Sequence, residues 1–321
     1  MLTREILDAW DLIDLPNANG ATVRDHFAAE FAEESLWPTV TRLDGEHTGT
    51  DVVRWSIPGT EGNTAPTLAV IGRLGGIGVR PGKEGTVSDA DGAIVATAVA
   101  LKLARAHQRG EPTKGDVVIV THICPTAPTR DHPVPGQMDS PVPIDKLLRL
   151  HESPAEADAL ISIDTTRSHY LINHTGIAAT ATLKNGVILR ISPDVMKLLG
   201  EVTSEPPVAL PITMQDITPL SSGLFRINSI MQPGNYFDGP VIGLASVSRH
   251  PIHGSTTGAN RPENLEHAAR FAVEAARRFG RGDLRFHDEA EYARFVDTYG
   301  SMAHLVGRAS ETADGHGDER P

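Results

Sequence analysis

Residues 116–124 read DVVIVTHIC, and this stretch decides the fold. Four consecutive β-branched residues, Val117 to Val120, show no alternation of polar and apolar positions, as in a strand buried on both faces. TLAVIG (67–72), ALISIDTT (159–166) and PVIGLASV (240–247) repeat the pattern. Between the first two of the four strands in chain order lies DGAIVATAVALKLARAH (91–107), rich in alanine and long enough for a buried helix of roughly four to five turns. Short apolar strands separated by helices predict an α/β protein: a three-layer sandwich with a mostly parallel central sheet covered by helices on both faces.

Working outward, SPDVMKLLGEV (192–202) opens with an N-cap serine followed by proline at the first helical position. PENLEHAARFAVEAARRFG (262–280) reads as a long amphipathic helix burying Leu265, Ala268, Ala269, Ala272 and Ala275, and residues 287–305 supply one terminal helix. Near the start, residues 2–13 and 23–36 have helical spacing, Trp37-Pro38 breaks the second, and DVVRWSI (51–57) suits a strand. Residues 1–60 are therefore expected as a helical cap packed on an α/β body of residues 61–305. The polar end, 306–321, is expected to be disordered.

Composition narrows the function classes. With 29 Lys and Arg against 41 Asp and Glu, the net charge of −12 argues against a nucleic-acid or anionic-membrane partner. No stretch approaches the roughly 20 apolar residues of a membrane span, and MLTREILDAWDLIDLPNANG lacks the basic start of a secretory signal. One cysteine, Cys124, excludes an internal disulfide and a thiolate zinc ribbon. A cytoplasmic protein acting on a small molecule is expected, with a homo-oligomer as the default assembly.

Ligands of open parallel sheets bind beyond the carboxyl ends of the strands. Here those ends deliver Arg73 with the glycine-rich GRLGGIG, then Asp89 and Asp91 at the start of the alanine-rich helix. They also deliver His122 and Cys124, with Asp131 and His132 beyond; Asp164, with Arg167 and His169 behind it; and His250 and His253. Carboxylate and imidazole together suit zinc or manganese. The alternative for each is structural: Asp89 or Asp91 as helix caps, His122 as a hydrogen-bonded core histidine, Cys124 as a small buried apolar group. Asp164, after a run of apolar residues, needs partners in either case. GRLGGIG matches neither the P-loop nor the dinucleotide fingerprint, which excludes nucleotide binding on that motif.

VSDADGAIVATAVALKLA, GDVVIVTHICPTAPT, SIDTT, PITMQDITP and TTGA resemble the bacterial and archaeal family known as the domain of unknown function numbered 1177, over residues 40 to 280. More distantly, LGGIG, the Asp-led helix, the DVVIVT strand, the strand ending in Asp164 and GPVIGLASVSRHPIHG resemble the co-catalytic two-metal aminopeptidases. That resemblance implies a zinc-peptidase-like sandwich. It places Asp89 at the bridging carboxylate, Asp164 at a terminal carboxylate ligand and His253 at a terminal histidine ligand. It also places Arg73 at a former histidine ligand, and Cys124 and Pro125 near the family's paired glutamates, so ordinary two-zinc peptide cleavage is not expected.

The implied activity is hydrolysis of a small amide, lactam or peptide-like compound. Asp89, Asp164 and His253 would hold a divalent metal, zinc or manganese. His122 or His132 would move the proton, and Arg73, with Arg167, would bind a substrate acid. Cys124 is the alternative nucleophile, though nothing in the sequence lowers its pKa. The competing reading is a non-catalytic small-molecule-binding or regulatory protein on a degenerate peptidase fold.

Overall fold

The computed structural model describes residues 1–46, 48–73, 86, 88–127, 129–130, 137–138, 140–168, 170–214, 227–249 and 260–307. In chain order these form α1 (Thr3–Ile13), α2 (Gly20–Glu30), β1 (Thr39–Asp44), β2 (Gly49–Ile57), β3 (Leu68–Gly72), α3 (Asp91–Gln108) and β4 (Val117–Ile123). Next come β5 (Thr129–Arg130), β6 (Gln137–Met138), α4 (Ile144–Leu150), β7 (Ala159–Arg167), β8 (Gly176–Thr180), β9 (Leu183–Lys184) and β10 (Val187–Ile188). The chain closes with α5 (Pro193–Thr203), β11 (Ala209–Leu210), β12 (Val241–Ser248), α6 (Pro262–Gly280) and α7 (Glu289–Tyr299).

The four strands read from apolar runs are the centre of the main sheet, in the order β4-β3-β7-β12, and all three pairings among them are parallel. Antiparallel strands flank them: β2 pairs with β4 and β1 with β2 on one side, while β8 and β9 pair with β12 on the other. The sheet is thus mixed: parallel in its buried middle, antiparallel where β2 and β8 join it, with β11 adding a parallel pairing to β8 at one edge. Strand β1 exposes Thr39, Thr41, Arg42 and Asp44 and buries only Leu43 fully, too polar to announce itself in sequence. Residues 39–57 extend the main sheet; of the two helices before them, α2 packs on β1 and β2, and α1 packs on α3 and α6.

Alternation along the central strands divides two cores. On one face Val70, Ile119, Ile161 and Leu244 meet α1, α2, α3, α5 and α6. On the other, Ile71, Val120, Leu160 and Ala245 meet α4 and a short 3-10 helix, Ser229–Asn235. All five α6 residues expected inside are buried. Helix α5 is capped as its sequence predicts, with Ser192 Oγ accepting from the Val195 amide. The helix expected over 23–36 instead starts at Gly20, because Asn19 and Thr22 form a reciprocal cap, and stops at Glu30. There Phe31 turns extended, its ring buried beside Phe27. The end of the chain, 308–321, lies outside the described residues.

Candidate functional site

The site is built where α3 begins against two parallel strand ends. Gly72 pairs with Ile163 across β3 and β7, and the Arg73 amide donates to the Ile163 carbonyl at 2.8 Å. Two glycines allow the helix to approach. A Cβ on Gly72 would lie 2.2 Å from the Gly92 carbonyl oxygen, and one on Gly92 would lie 2.4 Å from that of Arg73. This contact sets the 3-10 turn Ser88–Ala90 and the first residue of α3 beside the end of β7.

Three carboxylates meet there. Asp89, Asp91 and Asp164 are all buried. Asp164 accepts from the Thr165 amide at 2.7 Å and from the Ser229 hydroxyl at 3.2 Å. Asp91 accepts from Asn260 Nδ2 at 2.6 Å and has further hydrogen bonds with Ser246 and Thr165. Burial, then the charge of Asp164, then that of Asp91, pushes Asp89 up to about 7. Burial likewise pushes Asp91 up to about 7, against its three hydrogen bonds. Asp89 and Asp164, chosen from sequence as metal ligands, therefore lie within electrostatic reach of each other. Asp91 makes no side-chain cap on α3, contrary to the capping alternative.

A second polar cluster lies on the α4 side of the sheet. The Arg73 guanidinium is 1% exposed and forms an ion pair with Glu152, itself 2% exposed, at 2.5 Å. Its other terminal nitrogen donates to Gln232 Oε1 at 3.3 Å. Arg73, expected to anchor a substrate acid, is thus paired with a carboxylate of the chain itself. Nothing in the sequence marked Glu152 or Gln232 as its partners, because each is far from Arg73 along the chain.

His122 is buried with Nδ1 3.0 Å from Thr50 Oγ1, whose own proton goes to the Ile123 carbonyl at 3.1 Å. The imidazole therefore carries its proton on Nδ1, leaving the lone pair on Nε2. Burial, then the charges of Arg73 and His151, push His122 down to about 3. Cys124 is buried, and burial pushes its thiol up despite its contacts with Thr126 and Thr48. A thiol so placed is a poor nucleophile. His132 and His253 lie outside the described residues, as do Asp131, His169 and His250; Arg167 ends β7.

Hard carboxylate oxygens held together under burial match the donor preference of zinc or manganese and resist ionising together without a cation. Among the described residues, no group of three or more His, Cys, Asp or Glu side chains could hold a metal ion. Asp89 and Asp164 supply two carboxylates of that chemistry.

A family model described as "Protein of unknown function (DUF1177)" matches residues 41–309. The chain belongs to this family. No curated protein matches this DUF1177 member. Its fold is similar to leucyl aminopeptidase from Trypanosoma brucei in complex with bestatin, with 12% identity and a TM-score of 0.48 over 85% of this chain and 61% of that one. It is also similar to an aminopeptidase from Aneurinibacillus sp. strain AM-1, with 11% identity and a TM-score of 0.42 over 75% of this chain and 50% of that one. The DUF1177 chain therefore spans 61% and 50% of the lengths of these two proteins.

Proposed function

We propose that this DUF1177 protein is a metal-dependent hydrolase of a small amide, lactam or peptide-like compound, with Asp89, Asp164 and His253 holding one zinc or manganese ion. The observation that carries this reading is the burial of Asp89 beside Asp164 at the meeting of a helix start and a strand end. Two like charges so placed favour a site that a cation completes. A divalent ion bound there would polarise a scissile carbonyl and acidify a water.

The remaining roles belong to the chain. A histidine held down at about 3 is a weak base at neutral pH, so we assign proton transfer to His132 and a positioning role to His122. With Arg73 engaged by Glu152, we assign the substrate acid to Arg167, three residues beyond Asp164 on β7. The inward-turned Arg73 and His122 favour a second reading, a small-molecule-binding protein without turnover.

One experiment separates the two readings. Protein stripped with a chelator and reloaded with zinc or manganese is incubated with aminoacyl amides, lactams, N-acyl amino acids and dipeptides, and products are followed by mass spectrometry. We expect metal-dependent hydrolysis that falls at least ~100-fold in Asp164→Ala and survives in Cys124→Ser. Saturable binding of a panel member without turnover would establish the second reading.

A further inference from the structure

The first helix is joined to the carboxylates by a directed chain of hydrogen bonds. The Trp10 indole N–H donates to Thr86 Oγ1 at 2.7 Å, and that hydroxyl donates to Asn260 Oδ1 at 3.2 Å. Asn260 Nδ2 then donates to Asp91 Oδ1 at 2.6 Å. The polarity is fixed at the two ends. An indole N–H only donates and an amide nitrogen only donates, so the Thr86 hydroxyl and the Asn260 amide between them have one consistent orientation. The Thr86 amide also donates to Asp14, which lies one turn from Trp10 at the end of α1.

Helix α1 is itself firmly held. Ile6, Ala9 and Ile13 are buried, and the Leu2 amide donates to Glu266 of α6 at 2.9 Å. On the α3 side, Arg105 pairs with Asp8 at 2.6 Å and Lys102 with Glu5 at 3.5 Å. Thr86 is three residues before Asp89, and Asn260 is seven residues after His253. The same helix thus grips the backbone leading into one proposed ligand and, through Thr86, the side chain that follows another.

We infer that α1 is a positioning element of the carboxylate site, with Trp10 and Thr86 acting through Asn260 to hold Asp91 and the start of α3 in place for metal binding. The inference rests on the reading of Asp89 and Asp164 as metal ligands. It gives the N-terminal segment a task beyond covering the core. None of these four residues needs to touch the metal or the substrate.

The test compares the intact protein with Thr86→Val, Thr86→Ser and Trp10→Phe, using zinc chloride or manganese chloride alone in a calorimetric titration and amide hydrogen exchange on the metal-free proteins. Thr86→Val should bind the metal about 10- to 100-fold more weakly at an unchanged circular dichroism spectrum, as outer-shell substitutions do. Thr86→Ser, which keeps the hydroxyl, should restore wild-type affinity, a rescue that lost packing alone would not give. In the metal-free proteins, residues 88–92 and 260–265 should exchange faster in Thr86→Val and Trp10→Phe, while 159–166 stay unchanged. Wild-type metal affinity in Thr86→Val overturns the inference, and so does unaltered exchange at 260–265. Failure of the wild-type protein to take up either metal overturns the underlying reading of the site, and the exchange result then decides the coupling on its own.

Discussion

Two buried ionisable clusters sit at the same end of the sheet, and they solve burial in opposite ways. Arg73 and Glu152 bring opposite charges into contact at 2.5 Å, with Gln232 accepting a further hydrogen bond from the guanidinium. Asp89, Asp91 and Asp164 bring like charges together, so that Asp89 is raised by burial and by both neighbours. The first cluster is electrically complete within the chain, and its removal is a question of stability. The second is a strained arrangement of the kind that persists for a ligand.

The largest expected effect breaks the complete cluster. Glu152→Leu leaves the Arg73 guanidinium buried and unpaired, and should lower unfolding free energy by about 3–5 kcal/mol in urea denaturation. The Arg73→Met/Glu152→Leu double variant should recover nearly all of it, since both charges then leave together. A double variant as unstable as the single one would show that the pair does more than neutralise itself.

Next in size is an acid limb set by His122. Its folded-state pKa, about 3, lies below that of an unfolded histidine near 6.5. The unfolded chain therefore takes up the proton first. Stability contributed by neutral His122 is fully present above about 6.5 and declines, by at most about 1.4 kcal/mol per pH unit, as pH falls toward 3. His122→Asn should flatten this limb in thermal melts recorded across that window. An unchanged limb would mean that burial does not hold His122 neutral in the folded chain.

The smallest effect has the opposite sign and sharpens the contrast. In metal-free protein, Asp164→Asn keeps the shape and the bond from the Thr165 amide, and lets the new amide donate to a rotated Ser229 hydroxyl, while removing one of the like charges. It should stabilise the fold by about 1 kcal/mol near pH 8. Destabilisation by a similar amount would mean that the three carboxylates are satisfied as they stand.

The central sheet was legible because β3, β4, β7 and β12 are mostly buried on both faces and built largely from apolar residues. The margins were less so. β1 is largely exposed and polar, and β9, β10 and β11 are two residues each, too short for a periodicity to register. Asp164 stood out because a carboxylate in an apolar strand has few structural explanations. The Arg73–Glu152 pair could not be read, since its partners are 79 residues apart and meet only when α4 folds over the sheet. The same holds for Asn260 and Asp91, 169 residues apart, which are brought together by α3 and α6.

The most direct test of the account is the metal content of protein purified without chelator, measured by plasma mass spectrometry for the wild type, Asp89→Asn and Asp164→Asn. The account predicts close to one zinc or manganese ion per chain in the wild type and loss of that ion in both variants, each still folded. Equal metal content in all three proteins, or none in the wild type, would contradict it.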